Sequence, residues 1–168
     1  MKILISVPDQ TLSLFSPGDA PDSPLSLVRQ YKISTSKFGL GSEEGSFRTP
    51  IGNFLIIEKF GDLAPPGTVF RSRLPTEEKF SPESPEDQIT TRILWLQGLD
   101  PHNANTQNRF IYIHGTNHEK ELGTPTSHGC IRMGNQDIME LFDLISVGTP
   151  VTISPDNSDS SQIPSPLV

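Results

Sequence analysis

A single cysteine, Cys130, in 168 residues leaves no partner for an internal disulfide and no thiolate set for a Cys-rich zinc site, so the thiol is either reactive or simply buried. Apolar residues are scarce as well: the hydrophobic fraction is 33%, which is thin for a helical bundle. Positive charge is in short supply, with 13 Lys and Arg against 20 Asp and Glu. A net charge of −7 without a Lys/Arg cluster argues against a nucleic-acid or anionic-membrane surface, where phosphate repulsion would have to be overcome. The expected partner is a small molecule or peptide. Long apolar runs are missing too: the opening Met1-Lys2-Ile3-Leu4-Ile5-Ser6-Val7 meets Pro8-Asp9-Gln10 at once. That stretch is too short for a signal-peptide core or a membrane span, and a cytosolic location is expected.

What is abundant is punctuation. Sixteen prolines and 13 glycines cut the chain into short elements, and the length suits one domain with one core. β-type runs read at residues 3–7, 11–15, 27–34, 52–60, 92–97, 110–114 and 150–153. About seven strands predict a mainly β domain over residues 1–153, a sandwich or open barrel. One principal helix follows Cys130: Ile138, Leu141, Phe142 and Ile145 recur at helical spacing, with Asn135 as N-cap and Gly148 just past the end. Residues 61–91 show neither period and read as a long loop able to serve as a lid. Residues 154–168 are too polar to offset their ordering entropy and read as a flexible tail.

Chemistry concentrates in Phe110-Ile111-Tyr112-Ile113-His114-Gly115-Thr116 and Thr126-Ser127-His128-Gly129-Cys130-Ile131-Arg132-Met133, which together with their short connection hold three of the four histidines. Strand alternation puts Ile111 and Ile113 on a core face and Phe110, Tyr112 and His114 on the other, toward a cleft. A thiol attacks well only once deprotonated, so it needs an imidazole or cation nearby. His114, on a separate strand, suits the base; His128, two residues from the sulfur, suits a supporting role. Gly129 permits a tight turn that aims the Gly129 and Cys130 amides at a developing oxyanion. With no acidic neighbour available, the Gly115 carbonyl can hold the second His114 nitrogen and fix its tautomer.

His114-Gly115-Thr116 and Ser127-His128-Gly129-Cys130-Ile131-Arg132 resemble the catalytic signature of the L,D-transpeptidases, and Thr49-Pro50-Ile51-Gly52-Asn53-Phe54 resembles that family's Thr-Pro-x-Gly-x-Phe segment. The resemblance spans roughly residues 1–153. It implies that Cys130 attacks the carbonyl before the terminal D-alanine of a peptidoglycan stem peptide, forms a thioester and releases D-alanine, without metal or organic cofactor. Water as acceptor gives an L,D-carboxypeptidase, the outcome expected of a cytosolic enzyme acting on recycled muropeptides. An amine acceptor gives crosslinking or D-amino-acid exchange. The resemblance also implies a functional arginine at Arg132, placed near the pocket mouth to pair with a substrate carboxylate. Tyr112 and Ser127 complete the expected substrate contacts.

Two rivals of other classes stand beside this reading. His114, His118, His128 and Cys130 are zinc-ligand types, but their spacing matches no familiar zinc pattern, and His118 reads as part of a solvated loop. A non-catalytic β module would use Tyr112, Trp95 and Arg132 to line a peptide groove, with Cys130 incidental. Trp95 and Phe142, in apolar settings, read as core.

Overall fold

The computed structural model of the chain describes residues 1–156. The fold is mainly β with one helix. β1 (Lys2–Ser6) and β2 (Thr11–Ser16) form the expected N-terminal hairpin, in which Ile3 faces Leu14 and Ile5 faces Leu12 across the ladder. All four side chains are fully buried, as strict alternation requires. β10 (Pro150–Ser154) runs parallel to β1, adding Val151 and Ile153 to the same layer, and β4 (Gly52–Phe60) adds Phe54 and Ile56 beyond it.

β3 (Ser26–Ser34) continues the sheet from β2, followed by the short β9 (Ile131–Met133), β8 (Tyr112–Thr116) and β7 (Ile89–Gly98). β7 also pairs with β4, so the order β1-β2-β3-β9-β8-β7-β4-β10 closes on itself. The result is a ring of eight strands in one mixed sheet, with β1–β10 and β8–β9 as the parallel pairs. A small hairpin, β5 (Val69–Arg71) and β6 (Leu74–Pro75), hangs from β7 outside the ring.

The helix α1 (Asn135–Leu144) buries Ile138, Leu141 and Phe142 against β7 and β8. It has no basic residue in its last turn; Lys59 of β4 supplies the charge, its Nζ 2.6 Å from the Phe142 carbonyl and 2.7 Å from that of Ile145. Unsatisfied carbonyls and the negative end of the helix dipole are met by one cation.

Several expectations change. The segment 61–91 contains β5, β6 and the first residues of β7, because Val69 and Phe70 are buried and pair with Thr90 and Ile89. The N-cap is Gly134, and Asn135 is the first helical residue. Its side chain does not cap its own helix but bonds outward: its Nδ2 donates to the Thr116 carbonyl and Glu119 Oε1, and its Oδ1 accepts from Thr90 and Thr91. Strand β8 starts two residues later than expected, since Phe110 takes a left-handed backbone with φ of 55°. Ile111 and Ile113 nevertheless enter the core. Of the expected C-terminal tail, Ser154 closes β10 and residues 157–168 lie outside the described residues. No helix among the described residues is long and apolar enough to cross a membrane.

Candidate active site

Cys130 sits just before β9, at the end of a turn locked from within. The Ser127 hydroxyl donates to the Cys130 carbonyl at 2.6 Å and accepts the Gly129 amide at 3.3 Å. Gly129 has φ of +124°, a conformation that a side chain at this position would strain. The turn is also pinned from outside: the Thr49 hydroxyl donates to the Gly129 carbonyl at 2.9 Å and accepts the Ser36 amide at 3.0 Å. The amides of Thr126 and Ser127 both donate to the Thr35 carbonyl.

The sulfur is partly exposed and meets two backbone groups, accepting from the Tyr112 amide and lying against the Phe110 carbonyl, each at 3.4 Å. Burial pushes the thiol up to about 12; the Tyr112 amide, Arg132 and Arg109 pull it down, and Asp87 pushes it further up. At rest Cys130 is therefore a thiol rather than a thiolate.

His114 projects from β8, beside β9, where it is paired in register with Arg132. It is 1% exposed, so it lies beneath the cleft rather than in it. Its Nδ1 is 2.6 Å from the Gly115 carbonyl. That carbonyl accepts only a protonated Nδ1, which leaves Nε2 as the basic atom. Burial lowers the imidazole below its ordinary value, outweighing the upward effects of Asp87 and the Gly115 carbonyl, and Arg132 adds a smaller downward effect. A neutral imidazole on β8, next to the strand that Cys130 leads into, is suited to proton transfer.

Five expected site residues are placed differently. Arg132 is 2% exposed and its guanidinium is taken: Asp87 holds Nε and Nη2 at 3.1 and 2.8 Å, and Glu121 and Thr126 hold Nη1 at 3.0 and 3.2 Å. It is an internal strut, with no free fork for a substrate carboxylate. Ser127 is fully buried and spends its hydroxyl on the turn. The Gly129 amide points into that turn, so of the two oxyanion donors expected there, only the Cys130 amide is left without an acceptor among the described residues. His128 faces outward, its ring 5.7 and 5.9 Å from those of Phe38 and Phe47 and its Nδ1 4.0 Å from Asp87. Tyr112 is buried, its amide on the sulfur and its hydroxyl on Arg73. Among the described residues no group of three or more His, Cys, Asp or Glu side chains is placed to hold a metal ion; His118 instead bonds the Ser84 carbonyl at 2.7 Å.

Compared with known proteins, residues 1–153 match the profile of the YkuD family, the L,D-transpeptidase catalytic domain. The chain belongs to this family. YqjB of Bacillus subtilis (strain 168), provisionally named an L,D-transpeptidase, is 37% identical over 110 residues, covering 62% of this chain and 60% of YqjB. The match thus spans less than two thirds of that relative. Among solved structures, L,D-transpeptidase LdtMt1 in complex with imipenem superposes with a TM-score of 0.52 at 18% identity, covering 90% of this chain and 57% of that one. L,D-transpeptidase 3 from Mycobacterium tuberculosis with a faropenem-derived adduct gives 0.54 at 15% identity, over 90% and 59%. At such identity these two speak for the fold alone.

Two residues flanking this L,D-transpeptidase site escaped the sequence reading, and a third was assigned to the core. Asp87 lies in the Pro- and Ser-rich stretch that read as loop, and no local pattern links it to Arg132, 45 residues on. Arg73 sits at a hairpin turn, Ser72-Arg73, with φ of 49° and 66°, but without the Asn-Gly or Asp-Gly that announces such turns. Trp95, expected in the core, is partly exposed. It packs in a second cluster with Phe70, Ile93 and Tyr112, against which Cys130 also lies.

Proposed function

We propose that this domain is a cysteine acyl-transfer enzyme that cleaves the L,D bond before the terminal D-alanine of peptidoglycan stem tetrapeptides, with water as the acceptor. The observation that carries the reading is the His114 imidazole held through Nδ1 by the Gly115 carbonyl, one strand from a thiol on a locked turn. Nε2 of His114 takes the thiol proton as the sulfur attacks the scissile carbonyl. The Cys130 amide faces the developing oxyanion. Collapse breaks the C–N bond, and His114 returns the proton to the departing D-alanine amine. Water then attacks the thioester, again losing a proton to His114, and the thiol is restored. Hydrolysis demands no acceptor subsite and is the simplest completion for the site. The same reading expects a carbapenem to acylate Cys130. A cytosolic setting, among soluble muropeptides, is part of the same proposal and is tested by cell fractionation.

The deciding experiment is mass spectrometry of the products from a diaminopimelate-containing disaccharide tetrapeptide, with and without excess free D-amino acid. Cys130→Ala serves as control. Loss of D-alanine alone is expected. An exchanged terminal residue or a crosslinked dimer would make an amine the acceptor and the enzyme a transpeptidase. No product would favour a peptide-binding module, and full activity in Cys130→Ala would end the mechanism.

A further inference from the structure

Two arginines, Arg132 and Arg109, act on the Cys130 thiol, and both are spent. Arg132 is held by Asp87, Glu121 and Thr126. Arg109 donates to the carbonyls of Gly41 and Arg48 and to the Ser46 hydroxyl. Arg73, from the turn between β5 and β6, is different. Its guanidinium lies 4.4 Å from the Trp95 ring centre and 5.4 Å from that of Phe110, and one nitrogen donates to the Tyr112 hydroxyl at 2.9 Å. No carboxylate pairs with it among the described residues, although the same hairpin's other arginine, Arg71, is paired with both Glu78 and Glu86.

A guanidinium has five donors, and stacking on an aromatic face orients the group without consuming them. Tyr112 and Phe110 tie this cation to the chemistry. The amide of Tyr112 and the carbonyl of Phe110 both touch the Cys130 sulfur, while their rings carry Arg73. The nucleophile and an uncommitted, pre-oriented cation are thus a single tyrosine apart.

We propose that Arg73, stacked on Trp95 and Phe110, is a carboxylate-binding subsite that fixes the donor peptide over Cys130. This rests on the stem-peptide reading above, which supplies two carboxylates close to the scissile bond: the terminal one of D-alanine and the side-chain one of diaminopimelate. The chemistry is the same for both, a planar fork meeting a planar anion beside an apolar platform. The subsite takes over the task that Arg132, locked into its own carboxylates, leaves undone.

The test is calorimetric binding to Cys130→Ala, which removes turnover, using the tetrapeptide and two mono-amides, one at each carboxylate. One amide is expected to bind about 10- to 100-fold more weakly than the parent peptide, the range for losing a charge-assisted contact. Arg73→Gln, added to Cys130→Ala, is expected to weaken the parent peptide equally and the sensitive amide no further; Arg73→Lys should recover part of the loss. The sensitive amide identifies the carboxylate. Equal weakening of all three peptides by Arg73→Gln, no weakening of any, or no binding to Cys130→Ala at all would overturn the subsite. Near-UV circular dichroism of the Trp95 band verifies that the variants keep the cluster. If the native enzyme releases no D-alanine while this discrimination persists, the reaction is wrong and the subsite stands; turnover without discrimination means the reverse.

Discussion

At the scale of single residues, the site works by holding charge back. The thiol is raised to about 12 and the imidazole lowered, both mainly by burial, so neither is ionised at neutral pH. A base must be unprotonated to act, and His114 is depressed below 6.5. The acid limb of kcat/KM is therefore expected below pH 6.5, with a plateau extending through alkaline pH until the thiol itself ionises; a pH–rate profile checks this, and a limb centred above 7 would refute it. Asp87 is among the groups raising both sites, so Asp87→Asn should move both downward, seen as thiolate absorbance appearing at lower pH. The hold of the Gly115 carbonyl on His114 and the tight turn before Cys130 were legible in the sequence because they are local: His114 and Gly115 are adjacent, and Cys130 closes its own turn. The commitment of Arg132 was not, since Asp87 and Glu121 reach it from separate loops.

At the scale of elements, β7, β8 and α1 meet at Gly115. A Cβ built there would lie 2.5 Å from the Thr90 carbonyl and 2.8 Å from Asn135 Oδ1, closer than atoms pack. Gly115→Ala is expected to push β8 from its neighbours and cost about 2–3 kcal/mol, the upper range for overpacking, measured by urea unfolding. Ser127→Ala is a milder lesion. It removes the hydroxyl that donates to the Cys130 carbonyl and accepts the Gly129 amide, at roughly 1–3 kcal/mol for buried groups left unpaired, and kcat should fall more than KM rises. Long periodic elements such as β4 and α1 were readable because alternation and helical spacing announce themselves. The three-residue β9 and the hairpin β5–β6 were not, because so few residues carry no period and the hairpin turn lacks glycine.

At the scale of the whole molecule, closure of the ring is what sequence patterning could not disclose. Alternation in Gly52–Phe60 says that one face is buried, not that the strand pairs with both β10 and β7. Truncation before Pro150 is expected to open the ring, leaving β1 and β4 each with one unpaired edge, and to yield no soluble folded protein, judged by expression and far-UV circular dichroism. The single cysteine has a consequence at this scale as well. With no second thiol in the chain, a sulfenic acid formed on Cys130 would have no internal partner to resolve it, and further oxidation would be irreversible. A thiol that stays protonated is a slow target for peroxide, and that protonation is what guards a sulfur with no partner to rescue it.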